Sequence, residues 1–140
     1  MENFADNVDR YKNEYSEFKD LIEIDTKWLL LVKRLNASGT NHTIKNKFDS
    51  KIQTKIIRQK RIYKTFDKGL IKGYKKFNLK YKNFPGFTEF SNVIFNHDKS
   101  KAVVYSSNFS GMTSGFGSIY FLVKRETGWT IICEIGLWIA

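Results

Sequence analysis

Phe4, Val8, Tyr11, Tyr15, Phe18 and Ile22 recur at intervals of 4, 3, 4, 3 and 4 residues. That is the spacing of one stripe of an α-helix, and Glu2, Asp6, Asp9, Glu14, Glu17 and Asp20 fall on or beside its solvated faces. A helix is therefore expected over about residues 3–23. The next segment, Trp28–Leu35, is too continuously apolar to show a period. A buried strand and a short helix both accommodate it, and a strand is the preferred reading. Asn36-Ala37-Ser38-Gly39-Thr40-Asn41 is a cluster of turn residues and marks the clearest internal break.

Lys45–Phe66 supports two readings. Ile52, Ile56, Tyr63 and Phe66 suit a helix, whereas Ile56-Ile57 and Ile62-Tyr63 suit a strand. Lys68–Lys82 is clearer, because Leu70, Tyr74, Phe77 and Tyr81 form one stripe and Lys68, Lys72, Lys75, Lys76 and Lys80 occupy the rest of the cylinder. Asp67 is the expected N-cap, and Pro85-Gly86 ends the segment. Gly69 and Gly73 each cost such a helix about 1 kcal/mol.

From Phe87 onward the period shortens to two. Phe87–Asn96, Lys101–Asn108, Ser118–Glu126 and Trp129–Ile139 read as strands. The turn signals between them are His97-Asp98-Lys99-Ser100, a glycine-rich loop over Ser110–Gly117, and Thr127-Gly128. In the last strand Trp129, Ile131, Cys133, Ile135, Leu137 and Ile139 alternate with the other residues, and this set is expected to face the core. Connections this short favour an antiparallel meander. The expected fold is α+β, with N-terminal and central helices packed on a four- to five-stranded antiparallel β-meander. It is organised as one domain: an acidic helix over 1–25, a basic block over 26–88 and the meander over 89–140.

Several C-terminal elements resemble a family of small uncharacterised bacterial domains. These are Phe84-Pro85-Gly86, Ser91-Asn92-Val93-Ile94-Phe95-Asn96, Ala102-Val103-Val104-Tyr105, Gly115-Phe116-Gly117 and the closing Gly128-Trp129 with Leu137-Trp138-Ile139. In that family a Ser-x-x-x-Phe-Asn strand, an Ala-x-x-Tyr strand, a glycine-rich loop and a terminal Trp recur. The resemblance covers about residues 84–140. It implies a hairpin framework and carries no activity.

Composition narrows the functional classes. With 140 residues, 41% hydrophobic and 16% aromatic, the chain has enough apolar material for one core rich in Phe and Tyr. The longest apolar run, Trp28–Val32, has 5 residues and falls far short of a membrane span. No apolar stretch follows a basic start, so no secretory signal is visible and a cytoplasmic location is expected. Cys133 is the single cysteine, which excludes an internal disulfide and a zinc cluster, and a small buried hydrophobe is its preferred reading.

The charge is unevenly distributed. Residues 26–88 hold 17 Lys+Arg against Asp49 and Asp67, a local net of +15. Residues 1–25 carry −5 and residues 89–140 carry 0, which together give the overall +10. Self-repulsion of this size is relieved by an anionic partner. Two bland alternatives stand beside that reading: a Lys-, Ile- and Asn-rich genome, and an acidic N-terminal helix lying along the basic block.

Catalytic constellations are lacking in the sequence. His42 and His97 fall in turn segments and share no metal-ligand or nucleophile–base spacing with each other or with Cys133. Ser110–Gly117 lacks the Lys-Ser/Thr ending of a phosphate loop. Glu134 is the carboxylate expected to face a helix layer or cleft, and one carboxylate makes no acid/base pair. No enzymatic activity, cofactor or metal is expected.

The candidate nucleic-acid-binding residues are Lys51, Lys55, Arg58, Lys60, Arg61, Lys64, Lys68, Lys72, Lys75 and Lys76. Tyr63, Tyr74 and Tyr81 are candidates to stack on unpaired bases, although Tyr74 and Tyr81 also belong to the core stripe. The excess of Lys over Arg points to backbone contacts rather than bidentate base reading. The leading expectation is a small non-enzymatic binder of RNA or of a protein–RNA complex. An inhibitor of a nucleic-acid-guided nuclease, of phage or mobile-element type, matches this size and charge. The alternative is an immunity- or antitoxin-type inhibitor whose basic face meets an acidic protein. A small-ligand or envelope domain is the third, which an apolar pocket between helices and sheet would favour.

Overall fold

Tyr11, Phe18 and Ile22 of the N-terminal stripe are buried, as their spacing requires. The structure, a computed structural model, describes residues 8–38 and 53–140. Within these bounds the expected first helix is two helices, α1 (Val8–Glu14) and α2 (Ser16–Ile24). They are separated by Tyr15, which is extended at φ −127° and ψ 103°. The Tyr15 hydroxyl donates a 2.8 Å hydrogen bond to the carbonyl of Gly136 on the last strand. The expected start of that helix, residues 3–7, lies outside the described residues.

Lys27–Ala37 forms a third helix, α3, which corrects the expectation of a strand at Trp28–Leu35. Trp28, Leu31, Val32 and Leu35 are buried and Leu30 is 58% exposed. This is an i, i+3, i+4, i+7 face, and its period was hidden because the outward position is also leucine. Two further helices follow, α4 (Gln59–Phe66) and α5 (Leu70–Lys80). The ambiguity over 45–66 therefore resolves as helix for its C-terminal part, while residues 45–52 lie outside the described residues.

The strands are β1 (Phe87–Phe90), β2 (Ile94–Phe95), β3 (Lys101–Gly111), β4 (Ser114–Arg125) and β5 (Gly128–Ile139). All neighbouring pairs are antiparallel, in the order β1-β3-β4-β5, with β2 also paired to β3. The molecule is thus α+β, with helices packed on a five-stranded antiparallel sheet. The expected strand 87–96 is interrupted at Ser91, whose Oγ accepts a hydrogen bond from the Tyr105 amide at 2.9 Å. The side chain there replaces a ladder partner, and the strand breaks into β1 and β2.

Two expectations about the strands are overturned. Ser110–Gly117 is not a glycine-rich loop: only Met112-Thr113 forms the turn, and Gly115 and Gly117 lie within β4. A Cβ on Gly117 would collide with Trp138 Nε1 and the Tyr105 hydroxyl, so this glycine admits the indole across the sheet. Trp138 Nε1 donates to the Tyr105 hydroxyl at 2.8 Å in that space. In β5, Cys133 and Ile135 are buried as expected, but Trp129 is 41%, Ile131 56% and Ile139 89% exposed, the last beyond a register shift between Gly117 and Ser118. The pairing with β4 shifts between Phe121 and Leu122, inserting Ile132 as an extra residue. One inserted residue reverses the inward parity of everything before it.

The core lies on one sheet face. Val103, Tyr105, Ile119, Phe121, Cys133 and Ile135 meet Phe18, Trp28, Leu31 and Val32 from α2 and α3. Phe121 is central, with ring centroids 5.6 Å from Phe18 and 5.7 Å from Trp28. At the start of β3 Asp25 accepts a hydrogen bond from Lys101, whose ammonium lies 5.3 Å from the Trp28 ring centroid. Lys101 holds the Asp25 carboxyl below the usual carboxylate range, with the Lys27 amide as second donor.

Candidate nucleic-acid interface

α4 and α5 form a helical hairpin on the same sheet face, beside the first core. The turn between them depends on Gly69, at φ 94°, a conformation that L side chains rarely adopt. Gly69 is also the N-cap of α5, so Asp67 does not cap that helix and instead terminates α4. A Cβ at Gly73 would enter the Phe66 ring, so that glycine brings the two helices together.

Aromatic rings fix the hairpin to the sheet. Phe66 lies 5.8 Å from Phe87, Phe77 5.5 Å from Phe87, Phe87 5.0 Å from Phe109 and Phe109 5.4 Å from Trp138. Ile62, Phe77 and Tyr81 are buried in this second cluster. Each such ring pair adds about 0.5–1.5 kcal/mol beyond the area it buries. The hairpin is therefore held to the sheet by its buried rings, and its lysines and Arg61 are left exposed.

The span Gln59–Lys80 carries 8 Lys+Arg and one acid, Asp67. Arg61, Lys64 and Thr65 of α4 and Lys76, Leu79 and Lys80 of α5 line an open groove of about 500 Å³. Among the described residues, none of these four cations forms an ion pair. Among the described residues the acids of α1 and α2 form no ion pair with them. Among the described residues their ion pairs are local, Arg10–Glu14 at 2.8 Å, Lys12–Asp9 at 3.7 Å and Lys19–Glu23 at 3.9 Å, apart from Asp25 with Lys101.

The structure brings three of the expected site residues, Arg61, Lys64 and Lys76, into the groove. Lys60 flanks it on α4, Lys68 lies in the turn, and Lys72 and Lys75 lie on α5; all are exposed. Lys75 borders a separate hollow of about 270 Å³ shared with Ile71, Tyr74 and Met112. Lys55 and Arg58 belong to the irregular segment 53–58, where the Lys55 ammonium lies 5.6 Å from the Tyr81 ring centroid. Lys51 lies outside the described residues. Lys80 and the non-ionic Thr65 and Leu79 were missing from the expected set, and the Lys76–Lys80 i, i+4 spacing was the available signal for Lys80.

Of the three tyrosines, Tyr74 and Tyr81 are core residues at 8% and 4% exposure. Tyr63 is 57% exposed, which leaves its ring open to a stacking partner. The Gln59 amide donates to its hydroxyl at 2.7 Å.

Glu89 lies on β1 near Tyr63, and its Oε1 is buried with no hydrogen-bond partner among the described residues. Burial pushes its carboxyl above the usual range. A raised folded-state pKa means that the ionised form destabilises the fold, and that this cost disappears as pH falls through the folded value. Glu89→Gln is therefore expected to raise the melting temperature at pH 7 by about 2–4 °C. The gain should vanish below about pH 4.3, where Glu89 is protonated in both states. Thermal melts across pH check this, and an equal gain at all pH values would mean that burial of the charge is not the cause.

The remaining reactive groups are dispersed. Cys133 is buried, and burial raises its thiol pKa, followed by the charges of Glu17 and Glu134. Glu134 is exposed on the sheet face away from the helices, beside Tyr120, which corrects its expected position facing a helix layer or cleft. His97 is exposed in the β2–β3 turn, and His42 lies outside the described residues. Among the described residues no three His, Cys, Asp or Glu side chains cluster to hold a metal ion, and no helix is long and apolar enough to cross a membrane. No family model, curated protein or solved structure matches the chain.

Proposed function

We propose that this chain is a small non-enzymatic RNA-binding protein that engages the phosphodiester backbone along the α4–α5 groove. The observation that carries the reading is the convergence of Arg61, Lys64, Lys76 and Lys80 with no acid among them. Four cations on a hairpin held to the sheet neutralise successive phosphates without ordering their own backbone on binding. The open groove, with lysine as its main cation, selects backbone and shape over base edges. Exposed Tyr63 offers one stacking surface for an unpaired base. Held in this way along the nucleic-acid path of a larger ribonucleoprotein, the chain would act as a competitive inhibitor.

The test is the salt dependence of binding to a generic single-stranded RNA. At about 0.7 per neutralised phosphate, four contacts give a log–log slope of about −3, steeper if the flanking lysines engage. A slope near zero, or no binding at about 50 mM salt, discards the proposal. A second reading has its own observation: Leu70, Ile71 and Leu79 are exposed among the lysines of α5. Apolar side chains interleaved with cations suit an acidic protein partner, and on that reading one or two positions would carry most of the affinity.

A further inference from the structure

α1–α5 all pack on the sheet face that carries Val103, Phe121 and Phe87. By register, the opposite face presents Phe95, Phe116, Tyr120, Leu122, Trp129 and Ile131, together with Ile139 at its end. Phe95, Phe116 and Trp129 are 37–44% exposed, and Ile131 and Ile139 more so. Phe95 and Trp129 meet across this face with ring centroids 5.5 Å apart. We infer that this face is the interface through which a second copy of the chain docks, sheet against sheet.

Two observations select a second copy. The first is area. With an aromatic side chain at about 200 Å², the exposed parts of these residues leave about 500–600 Å² of apolar surface on each chain. A pair then buries about 1,100 Å², at the low end for a specific interface, and the patch is at the upper end of what a monomer leaves open. The second is charge. Lys124 and Glu134 are the charged residues that register places on this face, so it is neutral in a chain of net +10. Docking through it leaves both basic hairpins on the outer sides, as far apart as two such chains can hold them.

The inference is independent of the RNA reading. If both hold, the dimer presents two grooves to one strand and gains by effective concentration.

The experiment is sedimentation of nuclease-treated protein over about 1–100 µM, a range suited to an interface of this size. The 16.4 kDa species should give way to one of twice that mass as concentration rises, and more readily at high salt, where the positive charges are screened. Ile131→Lys and Phe116→Lys, on different strands, should each weaken association by at least about 100-fold by burying an unpaired charge. Acrylamide quenching of wild-type tryptophan should rise on dilution, which keeps the test informative if a variant misfolds. Four outcomes overturn the inference: a monomer at the highest concentration, a dimer that neither variant weakens, quenching that shows Trp129 shielded in the monomer, and adsorption to phosphatidylcholine vesicles in place of self-association.

Discussion

Reversing Arg61, Lys64, Lys76 and Lys80 together to Glu should lower affinity for single-stranded RNA by more than about 1,000-fold at physiological salt. The same variant should keep its circular dichroism spectrum and lose no stability. These four side chains are exposed and carry no ion pair among the described residues, and the one contact given up is that of the Lys80 ammonium, 5.7 Å from the Tyr81 ring centroid. Replacing four of the 24 Lys+Arg by acids also takes the chain from +10 to +2 and relieves self-repulsion. An acidic protein partner would be lost as well, so the single Lys/Arg→Gln series separates the readings. A phosphate track loses affinity in similar small steps, each reducing the salt slope by about one contact. If one position carries nearly all the loss and the slope hardly changes, the partner is a protein and the RNA proposal fails.

The charge asymmetry that led to this groove was visible in composition, but the groove itself was not. Charge counting treats Lys60, Arg61 and Lys64 alike, and the helical phase of α4 decides that Arg61 and Lys64 line the groove with α5 while Lys60 flanks it. That phase was unreadable because Ile56-Ile57 and Ile62-Tyr63 place apolar residues side by side, which suits a helix and a strand equally. The register of α5 was legible, since Tyr74, Phe77 and Tyr81 are all buried. Leu70, the first residue of the same stripe, is exposed because α5 begins there, one turn away from the sheet. Its capping was misread for a local reason: Gly69 at positive φ lets the chain turn without a side-chain cap, and Asp67 belongs to the helix before.

Elsewhere the errors share a cause. Periodicity reports which residues are apolar, and an element with apolar residues on both sides loses the contrast that fixes its phase. In α3 the outward Leu30 concealed a helix. In β4 the glycines suggested a loop, although their role is to admit Trp138 against Tyr105. That requirement comes from a partner 21 residues further along the chain, and local turn statistics contain nothing of it.

β5 makes the same point testable. Ile131 and Ile135 occupy equivalent places in a strict alternation, and sequence reasoning assigns both to the core. The bulge at Ile132 separates them: Ile135 is fully buried, opposite Ile119, whereas Ile131 sits on the open face, opposite Leu122. Ile135→Asp should therefore abolish cooperative folding. It removes a buried side chain, at about 2–5 kcal/mol, and buries an unpaired carboxylate besides, against a total stability of about 5–15 kcal/mol. Ile131→Asp should fold, with a loss of about 1 kcal/mol or less, in line with an exposed strand position. Both melts belong at low protein concentration, where docking of a second copy through the same face adds nothing to stability. Equal unfolding by the two substitutions would mean that β5 runs in unbroken alternation and that the face opposite the helices is itself core. The dimer interface would fall with the bulge, and the α4–α5 groove, anchored through Phe87 and Phe109 instead, would stand.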